Sequence, residues 1–180
     1  MTGEKLTRVV VSTEVGDFTI GVNETAAPIS AANFLAYVDG GHLDGSSVYR
    51  IVTLANQPAN VPCKIEVIQW GWRIAHDQYV PPFAPIPHEP TSRTGLRHLD
   101  GTLSMARREP GTAGPAFFIC IGDQPELDEG GRRNPDRAGF AAFGSVLHGH
   151  DVVRKIFARA ETDEQLGNPI AIRSVRRETK

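Results

Sequence analysis

The run Ser47-Val48-Tyr49-Arg50-Ile51-Val52 carries the residue whose type and setting could do chemistry. In an extended chain, side chains alternate between faces. Val48, Arg50 and Val52 are therefore predicted to share one face, and Tyr49 and Ile51 the other. An arginine flanked on its own face by apolar residues is unusual, and two readings stand. Arg50 sits at a sheet edge and reaches solvent, or its guanidinium lies in a semi-apolar groove and donates to a bound acceptor. Other reactive residue types have a blander reading. His76, His88 and His98 lie in or beside a proline-rich stretch and read as exposed loop polarity. No His-x-x-His pair or carboxylate cluster has ligand spacing, so no metal and no other cofactor is expected. Cys63 and Cys120 form no Cys-x-x-Cys pair and read as free thiols, with Cys120 in the core. Gly111-x-x-Gly114 is too short, and wrongly placed between strands, to cradle a nucleotide.

These residues need elements to hold them. Short apolar or β-branched runs predict strands at Arg8–Ser12, Phe18–Val22, Ser47–Val52, Thr102–Ala106, Phe117–Ile121, Gly139–Val146 and Ile170–Val175. A further strand from Cys63 through Ile68 ends in Gln69-Trp70-Gly71-Trp72. Pro28 opens a helix whose apolar face is Ala31, Phe34, Leu35 and Val38, and Gly40-Gly41 stops it. Asp151 begins a second helix with Val152, Val153, Ile156 and Phe157 on one face. Thr53–Lys64 reads as a loop, Asp128–Arg137 as a flexible one, and Arg176–Lys180 as a solvated tail. Strand counting alone does not separate a barrel from a sandwich.

The chain has 180 residues, 40% of them hydrophobic, which suits one domain over residues 1–180. A net charge of −2 gives no general pull toward nucleic acid or an anionic membrane. No apolar run has the length of a membrane-spanning helix, and Met1-Thr2-Gly3-Glu4-Lys5 has no signal-peptide core. A cytoplasmic location is the default expectation.

The stretch Gly101-Thr-Leu-Ser-Met-Ala106, followed by Phe117-Phe118-Ile119, resembles the central signature of the cyclophilins, the peptidyl-prolyl cis–trans isomerases. The resemblance runs from about Val9 to Val175 and is densest from Gly95 to Phe118. It includes Asn33-Phe34-Leu35, Gly95-Leu96-Arg97-His98 and the Gly-x-Asp-Val-Val of the second helix. It implies a closed eight-stranded antiparallel β-barrel capped by two α-helices. It also implies an isomerase that accelerates rotation about X-Pro bonds and assists protein folding, with proline-containing peptides or unfolded polypeptides as partners. Arg50 matches the family's catalytic arginine. Gln69 and the backbone at Arg107 would hold the peptide. Val67, Phe118, Leu127 and Phe140 would enclose the proline ring above Ala106. Phe118 would face the site and Phe117 the barrel interior.

Several positions depart from the family pattern. Tyr49 replaces a histidine and should face away from the site. Glu66 stands at a pocket phenylalanine position, where it would make the pocket less apolar or turn out of it, and a salt bridge from it to Arg50 would lower activity. Trp70 replaces a glycine, Ala116 a glutamine, Glu126 a tryptophan linked to cyclosporin sensitivity, and Phe140 often a histidine. Weak cyclosporin binding and low activity are expected. The alternative is a catalytically weak, proline-peptide-binding module on the same fold.

Overall fold

The computed structural model describes residues 4–180. Eight strands close into a barrel: β1 (Thr7–Thr13), β2 (Asp17–Val22), β3 (Ser47–Val52), β4 (Val67–Gly71), β5 (Thr102–Met105), β6 (Ala116–Cys120), β7 (Ala142–His148) and β8 (Gln165–Arg177). Their order around the barrel is β1-β2-β7-β5-β6-β4-β3-β8, and every pairing is antiparallel. Closure leaves no strand edge unpaired.

The helices are α1 (Pro28–Asp39), the short α2 (Thr91–Thr94) and α3 (His150–Phe157), with a 3-10 turn at Pro125–Leu127. Phe34 of α1 reaches into the barrel and meets Phe117 edge-on at 5.0 Å, with Trp70 and Phe143 completing the aromatic cluster. The Trp70 side chain, at a position where the resemblance expects glycine, is therefore barrel filling and lies away from any outer groove. The N-terminus of α1 has no side-chain cap of its own. Glu89, fully buried, supplies one from the distant proline-rich stretch, accepting the N–H groups of Ile29 (3.1 Å) and Ser30 (3.0 Å). A carboxylate there satisfies two orphan donors and suits the helix dipole.

Three expectations are corrected. The strand after the Thr53–Lys64 loop begins at Val67 and runs through Trp70 to Gly71, because β6 pairs with it over that whole span. The final strand runs from Gln165 to Arg177, so Arg176 and Arg177 are no free tail. They pair with Asp44 and Asp39, and Arg177 lies opposite Val9. His98 is not exposed loop polarity but 1% exposed. Both cysteines are free and buried, and burial pushes the Cys120 thiol well up.

Candidate active site

Two apolar clusters share the barrel wall. The larger fills the interior and its helical caps. The smaller lies on the outer face and comprises Val52, Ile65, Val67, Phe118, Cys120 and Leu127, with Ala106 and Phe140 against it. The alternation of strands produces this split. Phe117 and Ile119 of β6 belong to the interior, and Phe118 and Cys120 to the outer cluster.

The strand pairings set a row of residues side by side across that outer wall. Gln165 of β8 lies opposite Arg50 of β3, Arg50 opposite Gln69 of β4, Gln69 opposite Phe118 of β6, and Phe118 opposite Ser104 of β5. Directly opposed residues share a face, so the row is dictated by backbone pairing. It brings the polar Arg50–Gln69 pair beside an aromatic ring.

A β-bulge between Val48 and Arg50 corrects the simple alternation expected for β3. Val48 and Ile51 both enter the interior, while Val52 joins the outer cluster. Tyr49 does not turn away. Its hydroxyl accepts a 2.7 Å hydrogen bond from Gln69 Nε2, and it lines the outer groove with Arg50. Burial pushes the Tyr49 hydroxyl up to about 12, so it stays protonated as a donor.

The Arg50 guanidinium is held from two sides. Nη1 donates to Gln69 Oε1 at 2.9 Å, while Nε and Nη2 donate to Glu164 Oε2 at 3.1 and 2.7 Å. Arg50 and Glu164 expose 24% and 22% of their side chains, so the pair sits at a lip rather than in the core. Three of five donors are used. One hydrogen on each terminal nitrogen is left for a ligand. The carboxylate on Arg50 is thus Glu164. Glu66 lies between Ile65 and Val67, which both enter the outer cluster while it does not, and its carbonyl accepts the Ile121 N–H. Glu66 turns out of the pocket, and Ile65 takes the apolar place beside Val67.

The pocket next to Arg50 has a volume of about 240 Å³. Every residue the resemblance points to reaches it: Arg50, Val67, Gln69, Ala106, Arg107, Phe118, Leu127 and Phe140. Sequence reasoning missed Ile65, Arg108, Arg133 and Asn134, which also line it. Phe140 meets Phe118 edge-on at 5.4 Å, and the Arg107 guanidinium lies 4.7 Å over the Phe140 ring. Arg107 is locked to Gly139 O (2.6 and 3.0 Å) and to Asp136 (2.9 and 3.2 Å), so its side chain is scaffold. Its main-chain N–H and C=O make no hydrogen bond among the described residues, which leaves them free for an extended peptide.

Behind Phe118 lies a buried polar relay. The His98 ring stacks on Phe118 at 5.9 Å, bonds Asp128 through Nδ1 (2.7 Å) and bonds Ser104 through Nε2 (2.8 Å). Burial tends to raise the Asp128 carboxyl. Hydrogen bonds from the His98 ring and main chain outweigh it and hold the group below 3.8. The Asp128–Arg137 stretch, expected to be flexible, is cross-linked by Gly130 N–H to Arg137 O (2.8 Å) and Gly131 N–H to Asp128 O (2.9 Å).

The structure thus presents a closed antiparallel barrel with a fixed guanidinium at the lip of an outer pocket whose walls are partly apolar. Residues 8–177 match the family described as Cyclophilin type peptidyl-prolyl cis-trans isomerase/CLD. The chain is 33% identical over 152 residues to peptidyl-prolyl cis-trans isomerase cyp18 of Streptomyces antibioticus, covering 84% of this chain and 83% of that protein. It is 32% identical over 151 residues to peptidyl-prolyl cis-trans isomerase A of Dickeya dadantii, covering 83% and 70%. A solved cyclophilin type isomerase of Cryptosporidium parvum superposes with a TM-score of 0.77 at 18% identity, over 97% of this chain and 99% of that one. That protein has also been solved in the presence of the dipeptide Ala-Pro. The chain belongs to the cyclophilin-type peptidyl-prolyl cis–trans isomerases.

Proposed function

We propose that this isomerase binds proline-containing segments of unfolded polypeptides in the outer pocket and assists their folding, with Arg50 as the catalytic residue. The observation that carries the reading is the guanidinium fixed at the lip of a pocket walled by Val67, Phe118, Leu127 and Phe140.

Amide resonance sets a barrier of about 18–20 kcal/mol to rotation of a peptide bond. Uncatalysed X-Pro exchange takes tens to hundreds of seconds. An acceleration of about 10⁴ requires roughly 5–6 kcal/mol of preferential binding to the twisted amide. As the amide twists, the prolyl nitrogen regains its lone pair. An Arg50 N–H left free by Gln69 and Glu164 donates to that lone pair and not to the planar amide. The proline ring stays between Phe118, Phe140, Val67 and Leu127 on Ala106. Gln69 and the Arg107 main chain fix one side of the bond, so rotation occurs at the other.

Exchange spectroscopy on an Ala-Pro peptide tests this. Wild type should speed cis–trans exchange, and Arg50→Ala should lose about a hundredfold or more of that gain. Equal rates in the two proteins remove Arg50 from the mechanism. The Glu164 carboxylate on Arg50 favours a second reading, a binding module with little turnover, and peptide binding with unchanged exchange would establish it. We further propose weak cyclosporin binding, because Glu126 is engaged with Arg132 and lies outside the pocket lining. A tight, stoichiometric cyclosporin titration overturns that.

A further inference from the structure

The lining of the pocket is unusual in its charge. Arg50, Arg107, Arg108 and Arg133 all contribute to it, and no aspartate or glutamate does. The adjoining groove beyond Tyr49 adds Arg73 and again no carboxylate. This concentration of positive charge occurs on a chain whose net charge is −2.

The four pocket guanidinia are not equivalent. Arg50 is paired with Glu164, and Arg107 with Asp136. Arg108 and Arg133 have no carboxylate partner among the described residues. Arg133 is the more telling of the two, because it is half-buried. Its Nη1 donates to Gln57 Oε1 (2.9 Å) and Cys63 O (2.8 Å), both neutral acceptors from the Thr53–Lys64 loop. Those bonds aim the side chain and leave Nε and Nη2 unused. Burial lowers the Arg133 pKa, and the neighbouring Arg50 charge lowers it further, against a smaller opposing effect from Glu164. A half-buried cation held beside another cation is electrostatically unsatisfied, and an incoming carboxylate satisfies it.

We propose that the groove selects prolyl segments with a carboxylate side chain next to the proline, and that Arg133 is the specificity-determining residue that reads it. The inference rests on the reading that this pocket takes the proline ring. The loops Asp128–Arg137 and Thr53–Lys64 then have a joint purpose, since the first supplies Arg133 and the second its aiming acceptors.

The test is exchange spectroscopy on three matched peptide sets, with glutamate, glutamine or lysine immediately before or immediately after the proline. For wild type, kcat/KM should favour glutamate over glutamine about tenfold at one of the two positions, and lysine should rank last. That tenfold factor corresponds to about 1.4 kcal/mol, within reach of a charge-assisted hydrogen bond. Raising ionic strength should shrink the preference. Arg133→Met, which keeps the apolar stem, should bring the glutamate-to-glutamine ratio to within about twofold, while Arg133→Lys retains part of it. Should Arg133→Met fail to fold, the salt titration of wild type decides, and a preference insensitive to salt overturns the proposal. Equal kcat/KM on all three peptides overturns the selectivity and leaves the isomerase reading standing. A preference that survives Arg133→Met overturns the assignment to Arg133. Failure to accelerate any peptide removes the isomerase reading and this inference with it.

Discussion

The Arg50 guanidinium is clasped by the Glu164 carboxylate through two hydrogen bonds, at 2.7 and 3.1 Å, from the segment leading into β8. The Ile51 N–H also donates to the Glu164 carbonyl, so backbone pairing fixes the contact. The clasp orients the guanidinium and at the same time partly cancels its charge. Exposed or half-exposed ion pairs are worth about 0.2–1 kcal/mol, so neither effect is large.

Glu164→Gln keeps an acceptor for orientation and removes the cancelling charge. It should raise kcat/KM on a neutral Ala-Pro peptide about threefold. Glu164→Ala, which loses orientation as well, should fall below the glutamine variant. A glutamine variant slower than wild type would mean that the carboxylate serves the reaction directly.

His98 backs Phe118, and its two ring nitrogens satisfy Asp128 and buried Ser104. His98→Ala should cost about 2–4 kcal/mol in chemical denaturation, from the void and the stranded polar groups. In whatever fraction stays folded, KM should rise more than kcat falls, because Phe118 loses its support and Arg50 does not. A change confined to kcat would contradict this.

Acid should loosen the pocket wall. The Arg107 hydrogen bonds hold the Asp136 carboxyl below 3.8, with the Ala138 N–H adding to them, and Asp128 is held low as described. A depressed folded-state pKa means that the ionised form favours folding above the ordinary value, and that this contribution disappears as pH falls through the folded value. The thermal midpoint should therefore drop as pH is lowered from about 5 to about 2, and Asp136→Asn should flatten that slope. An unchanged slope in the variant would exclude Asp136 as a contributor.

Glu89 caps a helix that begins some sixty residues before it. Glu89→Ala leaves the Ile29 and Ser30 N–H groups without an acceptor and should cost about 1.5–3 kcal/mol. For a domain of this length that is a fall of roughly 3–12 °C in Tm. Peptide selectivity should stay unchanged, since the Glu89 side chain hydrogen-bonds to Ile29 and Ser30, and none of the three lines the pocket. A shift in Glu/Gln preference would refute the separation.

The barrel and eight of the residues lining its outer pocket were legible through the family resemblance, most directly at Ala106 and Phe118, which lie in the contiguous runs Gly101–Ala106 and Phe117–Ile119. What escaped detection was set by contacts distant in sequence. Glu164 lies 114 residues from Arg50 and carries no local signature. His98 sits in a loop, where no periodicity reveals burial. Tyr49 was assigned to the wrong face because a bulge adds one residue to β3, and a one-residue change inverts the alternation after it. Ile65 lies just before β4, in the stretch following the Thr53–Lys64 loop, where no strand pairing marks its face, so it was overlooked while Glu66 drew attention.

β8 joins β1 on one side and β3 on the other, and it is the last of the eight strands to leave the ribosome. Until it emerges, β1 and β3 are open edges able to pair with foreign strands. The nascent chain also lacks Glu164, so Arg50 first meets its partner when the seam shuts. Completion of the wall and clasping of the Arg50 guanidinium are a single event. The barrel therefore becomes a closed wall only with its eighth strand.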